Sequence, residues 1–144
     1  WYGVVGNDPV DEPWLDEALT QYSTMLYYEA VYGKQRAEGI RYAVFVQTYE
    51  ALKRAGRDMP AGLPAEAYPS HLYFDTVYDK GALYFHELRQ RLGDDQFFEL
   101  LQTYYERHRY QIASPESFLE TVEDVTRDRH EDLYEQWIAP TEPS

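Results

Sequence analysis

The sequence predicts an all-α fold of about six helices, with a long irregular loop near residues 56–72. Three observations predict it. Apolar residues recur at three- and four-residue steps over most of the chain, the spacing of a helix with one buried face. Most Gly and Pro residues fall between those runs and punctuate them. The only strand-like run, Tyr2 to Val5, is short, and there is no repeat of fixed period and no low-complexity segment.

Asp11-Glu12-Pro13 reads as the first helix start, with an acidic residue at the cap and Pro in the first turn, where its missing N–H costs nothing. Trp14, Leu15, Ala18, Leu19, Tyr22, Met25, Leu26 and Ala30 then recur on one face, and Gly33 is the stop. A second helix is expected from about Gln35 to Arg54, carrying Ile40, Val44, Phe45, Tyr49 and Leu52. Gly39 inside it costs roughly 1 kcal/mol relative to Ala. Gly56, Pro60, Gly62, Pro64 and Pro69 make the following stretch an irregular connection. Its length points to a functional or interdomain surface. A third helix is expected from about Asp75 to Leu92, ended by Gly93, and a fourth from Asp94 or Asp95 to about His108. Ser114-Pro115-Glu116 starts a fifth, with Ser at the cap. A short sixth covers about Glu131 to Ile138, and residues 139–144 are expected to fray.

Composition bounds the function. The chain has 144 residues, 13 basic and 26 acidic side chains, and a formal charge of −13. That length fits one domain or part of one. The charge argues against a nucleic-acid partner, because phosphate binding needs a basic patch. The absence of Cys excludes disulfides, Cys-ligated zinc and thiol catalysis. There is no apolar run near ~18 residues and hence no transmembrane helix in this chain. Hydrophobic residues make up 44%, enough for a packed core. The 15 tyrosines give that core a wet edge, which suits a cleft, a subunit contact or ordinary surface packing.

Few residues offer chemistry. The histidines are His71, His86, His108 and His130. Helical zinc sites use H-E-x-x-H because two His four apart project from one face. His86-Glu87-Leu88-Arg89-Gln90 and His130-Glu131-Asp132-Leu133-Tyr134 each lack the second His, so both read as helix-surface or packing residues. No P-loop, G-x-S-x-G or G-x-G-x-x-G is present. Glu17 sits one turn inside the first helix, on a helix whose next turns read as core. Its carboxylate is either partly buried and paired, or exposed near the helix N-terminus, where the dipole favours its charge.

Trp14-Leu15-Asp16-Glu17-Ala18 resembles the W-L-N/D-E-G/A segment that follows H-E-x-x-H in the M1 family of zinc metallo-aminopeptidases, gluzincins related to aminopeptidase N. Val77-Tyr78-Asp79-Lys80-Gly81-Ala82 is similar to the family's V/P-Y-x-K-G-A/F motif. The 61-residue step between Glu17 and Tyr78 fits, as does their order. Leu92-Gly93-Asp94-Asp95-Gln96-Phe97 with Tyr104, and Asp132 to Ile138, resemble later parts of the same catalytic domain. The resemblance covers nearly the whole chain, and the two motifs together are far more specific than either alone.

The resemblance implies the helical C-terminal subdomain of a thermolysin-like (zincin) catalytic domain, spanning residues 1–144 as one unit. It implies that Glu17 is the third zinc ligand and that Tyr78 donates a hydrogen bond to the oxyanion formed when metal-activated water attacks the first peptide bond. Asp16 and Thr20 are candidates to orient Glu17, and either could equally face solvent or cap the helix. Lys80, Gly81 and Ala82 read as packing residues. His86, two turns beyond Tyr78, could line the same cleft, although packing is the favoured reading. On this resemblance the second His ligand belongs three positions before Trp1. The chain is then a piece of a longer zinc enzyme acting on peptides, inactive by itself and without stably bound zinc. A piece of that kind would expose apolar surface around Trp1, Tyr2, Val4 and Val5, and could self-associate there. The competing reading is a non-catalytic acidic helical interaction module, or a degenerate M1 homologue. The same resemblance fits an extracellular, membrane-anchored or cytoplasmic parent.

Overall fold

The computed structural model describes Trp1 and residues 3–139. Tyr2 and residues 140–144 lie outside the described residues, and with them most of the expected frayed tail. Among the described residues there are six helices and one two-residue strand pair. None of these helices is long and apolar enough to cross a membrane.

Helix α1 (Trp14–Tyr32) buries Trp14, Leu15, Ala18, Leu19, Tyr22 and Met25, the stripe its spacing predicts. Its start differs from expectation, because no side chain caps it. Asp8 instead accepts the backbone N–H groups of Val10 and Asp11 in the turn before it, and Asn7 Nδ2 donates to the Glu12 carbonyl. Gly33 ends α1 with φ +87°, and a new helix starts at once. That helix, α2, covers 34–54: Lys34–Arg41 is α-helical, Tyr42–Val46 is π-helical, and Gln47–Arg54 is α-helical again.

Helix α3 covers 70–92 and has the same construction. Ser70–Tyr73 is α-helical, Phe74–Lys80 is π-helical, and Gly81–Leu92 is α-helical. It starts five residues before the expected Asp75. Pro69 was read as a loop residue, but it lies immediately before the first helical turn, where its fixed φ favours a start. Helix α4 (Asp94–His108) follows Gly93, and α5 (Pro115–Thr126) opens on Ser114 as expected. The hydroxyls of Ser114 and Ser117 reciprocally accept each other's backbone N–H. Helix α6 (Glu131–Trp137) closes the described chain.

Strand β1 (Val5–Gly6) pairs in parallel with β2 (Gln111–Ile112), Val5 opposite Gln111. Tyr110 N–H donates to the Val4 carbonyl at 2.5 Å, and Ala113 N–H donates to that of Gly6 at 2.7 Å. This bridge carries the N-terminal segment along the α4–α5 connection, and the fold stays all-α around it. Val5 is 5% exposed. Trp1 packs against the rings of Tyr104 and Tyr105 and donates its indole N–H to Ser23. Of the apolar surface expected here, Val5 is buried while Trp1 and Val4 are half-buried, and Tyr2 lies outside the described residues.

Two features position everything else. Trp14 stands where α1, α3, α5 and α6 meet, with Tyr84, Phe85, Phe118 and Tyr134 ring centroids 5.9–6.1 Å away. Gly81 lies against Ala18, so close that a Cβ on Gly81 would sit 2.6 Å from the Ala18 Cβ. Only two very small residues allow α1 and α3 to cross at this distance. The irregular loop is pinned in the same way. Lys80, 3% exposed, donates to Asp58 at 2.6 Å and to the Met59 carbonyl at 2.7 Å. Ala61 and Gly62 N–H donate to the Trp137 and Ile138 carbonyls. The packing roles read for Lys80 and Gly81 hold.

Gly81→Ala is expected to force α1 and α3 apart and to destabilise the chain by about 1–3 kcal/mol, read from chemical unfolding midpoints. Gly39→Ala, at an exposed position with open space around it, is expected to be neutral or stabilising.

Candidate active site

Glu17 and Tyr78 both flank the α1–α3 crossing. Glu17 immediately precedes Ala18, and Tyr78 lies three residues before Gly81. Glu17 is half-buried, and its carboxylate accepts no hydrogen bond and meets no cation among the described residues. With Asp16, Asn7, Gly3 and Gly6 it lines a cleft of about 210 Å³. Burial, and then the negative charge of Glu17, push the Asp16 carboxyl above its ordinary pKa. Thr20 donates to Asp16 at 3.5 Å, a long bond, and so reaches Glu17 only through its neighbour.

Tyr78 is half-buried on the π-helical part of α3. Its ring stacks on Phe74, with centroids 4.5 Å apart and planes at 15°, and meets Tyr73 edge-on at 6.1 Å. The Tyr73 hydroxyl is held above its ordinary pKa, first by burial and then by the charge of Glu17. Tyr73 thus feels the charge of Glu17 and touches the ring of Tyr78.

Two further residues belong to this arrangement and were not singled out in the sequence. Gln21, one turn after Glu17 on the same face of α1, donates its amide N–H to Asp79 at 2.9 Å. Asp79 is 4% exposed. Burial is the main cause that pushes its carboxyl up to about 6, opposed first by the Gln21 hydrogen bond and helped by the charge of Asp75. The available signals were the i,i+4 spacing from Glu17 and the variable position of the Tyr78 motif.

The histidines take no part. His86 lines a different cleft, of about 330 Å³, with Tyr22, Met25, Glu38 and Arg41. Its Nδ1 lies 3.2 Å from the Tyr22 hydroxyl. Burial first, then Arg41 and Arg89, lowers its pKa to about 4. His108 is buried and donates from Nδ1 to the Tyr104 carbonyl, His130 precedes α6 at φ +51°, and His71 is exposed. Among the described residues no group of three or more His, Asp or Glu side chains could hold a metal ion.

A sequence model of the peptidase family M1 domain matches residues 1–137. The chain belongs to peptidase family M1. Its fold is similar to that of solved M1 enzymes. A point mutant of an M1 zinc metallopeptidase from Deinococcus radiodurans, bound to a Tyr-Ser-Ala substrate, superposes with a TM-score of 0.68 at 21% identity, over 92% of this chain and 29% of that one. A point mutant of a two-domain M1 zinc metallopeptidase bound to L-arginine gives 0.69 at 18%, over 92% and 29%. The M1 zinc metallopeptidase from Deinococcus radiodurans gives 0.67 at 22%, over 92% and 28%. The chain thus spans less than a third of the length of these structures. At these identities the likeness is one of fold, and it agrees with the helical half-domain expected from the motifs.

The titration of His86 makes a measurable difference to this M1 chain. Its folded pKa lies below the unfolded value, so its contribution to stability is present above about pH 6.5 and is lost as pH falls towards 4. The groups facing it are Tyr22, Glu29, Glu38, Arg41 and Arg89. His86→Gln is expected to remove about 1–2 kcal/mol of that acid-side loss, after allowance for solvent reaching the ring. Thermal unfolding of both chains at pH 4, 5.5 and 7 checks it. Equal slopes in the two proteins would count against it.

Proposed function

We propose that this chain is the helical part of the catalytic domain of a zinc-dependent aminopeptidase, an enzyme that hydrolyses N-terminal peptide bonds. The observation that carries this reading is the half-buried carboxylate of Glu17 on a cleft, with no cation on it among the described residues, next to the Ala18–Gly81 crossing that Tyr78 also flanks. Membership of the M1 family and the zinc metallopeptidases that share the fold support it.

A lone carboxylate of this kind fits zinc as one ligand of a set completed from elsewhere, since zinc accepts carboxylate oxygen together with imidazole nitrogen. Glu17 would hold the metal, with Asp16 beside it and Thr20 behind Asp16. Zinc, when bound, polarises a carbonyl and makes water a nucleophile at neutral pH. The chain's own part is to fix the Glu17 oxygens and to present the Tyr78 hydroxyl. Tyr78 donates a hydrogen bond to the carbonyl oxygen of the scissile peptide as negative charge develops there. A preorganised donor of this sort contributes several kcal/mol to the barrier. The stacked Phe74 ring keeps the phenol from swinging away. Peptides are the substrates in this reading, and the isolated chain is inactive because it supplies one ligand.

Metal analysis of the isolated chain is expected to find substoichiometric zinc, and a tight one-to-one complex would contradict the ligand set. In the complete enzyme, Glu17→Gln is expected to lower zinc affinity sharply. Tyr78→Phe is expected to keep zinc and to cut kcat by about 10²–10³. An unchanged kcat would remove Tyr78 from the chemistry. The residues encoded before Trp1 give an independent check. H-E-x-x-H ending three positions upstream is expected, and any other sequence there supports a non-catalytic M1 homologue.

A further inference from the structure

We propose that the Gln21–Asp79 hydrogen bond is a positioning device for Tyr78, locking the turn that carries the phenol to the helix that carries Glu17. It rests on the proposed function, and its geometry is independent of it. Gln21 lies one turn after Glu17 on α1, and Asp79 is the residue after Tyr78 on α3. One bond of 2.9 Å therefore joins the two helices beside both proposed functional groups.

Three observations make this bond more than one contact among many. The first is its setting. Asp79 is 4% exposed, yet among the described residues no cation pairs with it. The adjacent Lys80 is committed to Asp58 and the Met59 carbonyl. A carboxyl buried in this way costs the fold stability, where a neutral side chain of the same shape would not. What it gives in return is a strong, directional acceptor for the Gln21 amide.

The second is the backbone. Phe74–Lys80 is π-helical, so its turns are wider than those of the flanking α-helix and follow a different hydrogen-bond ladder. The rotation of Tyr78 about the helix axis then depends on restraints from outside the helix. Gln21 from α1 reaches Asp79 and supplies one.

The third is the crossing itself. Ala18 against Gly81 sets how closely α1 and α3 approach, but two small apolar groups resist sliding and rotation weakly. A hydrogen bond has a preferred length and angle, so it fixes the register that the close contact leaves open. A misplacement of about 1 Å at a catalytic group can cost on the order of a hundredfold in rate.

The test measures kcat, KM and zinc content of the complete metallopeptidase on an aminoacyl p-nitroanilide. Asp79→Ala and Gln21→Ala are each expected to lower kcat about tenfold, with KM within about twofold and zinc unchanged. Asp79→Asn is expected to recover most of the rate, since its amide oxygen accepts the same Gln21 N–H. In a Tyr78→Phe background, Asp79→Ala is expected to add less than about twofold, because the group it positions is gone. If Asp79→Ala does not fold, Gln21→Ala removes the same bond from the other side. Full kcat in Gln21→Ala, or losses that multiply in the Tyr78→Phe background, would overturn the proposal. Tyr78→Phe with full kcat would instead overturn the function assigned to Tyr78 and this device with it.

Discussion

The contact between Ala18 and Gly81 is the constraint on which the site depends. Helices normally pack with axes about 8–10 Å apart, and the side chains at the contact decide where in that range they fall. Here one partner has no Cβ and the other has only a methyl, and a second methyl would overlap the first. The residues on either side of the crossing inherit its geometry. Glu17 precedes Ala18, Gln21 follows it by three, and Tyr78, Asp79 and Lys80 precede Gly81. The two motif segments are distant in sequence, and this crossing packs them against each other.

The surrounding structure holds the crossing in place from several sides. Trp14 fills the space between α1, α3, α5 and α6, so the start of α1 is clamped by aromatic rings. Lys80, itself buried, pins the long loop beneath α3 through its pair with the exposed Asp58, and the loop backbone is tied to the end of α6. At the far end of α1, Arg89 grips Glu29 with two bonds and Asp94 with a third. Bidentate guanidinium–carboxylate bonds are directional, so they fix the angle between α1 and α3 as well as their distance. Most acidic side chains are exposed, while among the described residues the buried ions Lys80 and Arg89 are paired and Asp79 is not.

That exception shows how fold and site differ in their demands. A fold optimised for stability alone has little use for an unpaired buried carboxyl or for π-helical turns in two of its helices. The carboxyl and the π-helical turn of α3 adjoin Tyr78, where directional restraint matters more than net stability.

Much of this was legible in the sequence, for physical reasons that differ by element. The buried stripe of α1, the Ser114 cap and the Gly93 boundary depend on spacing and local backbone preference, which a sequence displays directly. Glu17 and Tyr78 were legible through their flanking motif residues. The start of α3 at Ser70 was hidden, because a proline reads alike in a loop and just before a helix. The π-helical turns were hidden as well, since they depend on what packs around the helix. The same holds for the burial of Val5, which depends on a strand partner more than a hundred residues away. Gln21, Asp79 and the isolation of His86 from the site were decided by which side chains meet across α1, α2 and α3. By itself the sequence determined the helices, the family and the two candidate catalytic groups, because each is written in local order. Only the tertiary structure decided that the helices carrying these groups cross at Ala18 and Gly81 and what holds them there, because that depends on how closely two helices can approach.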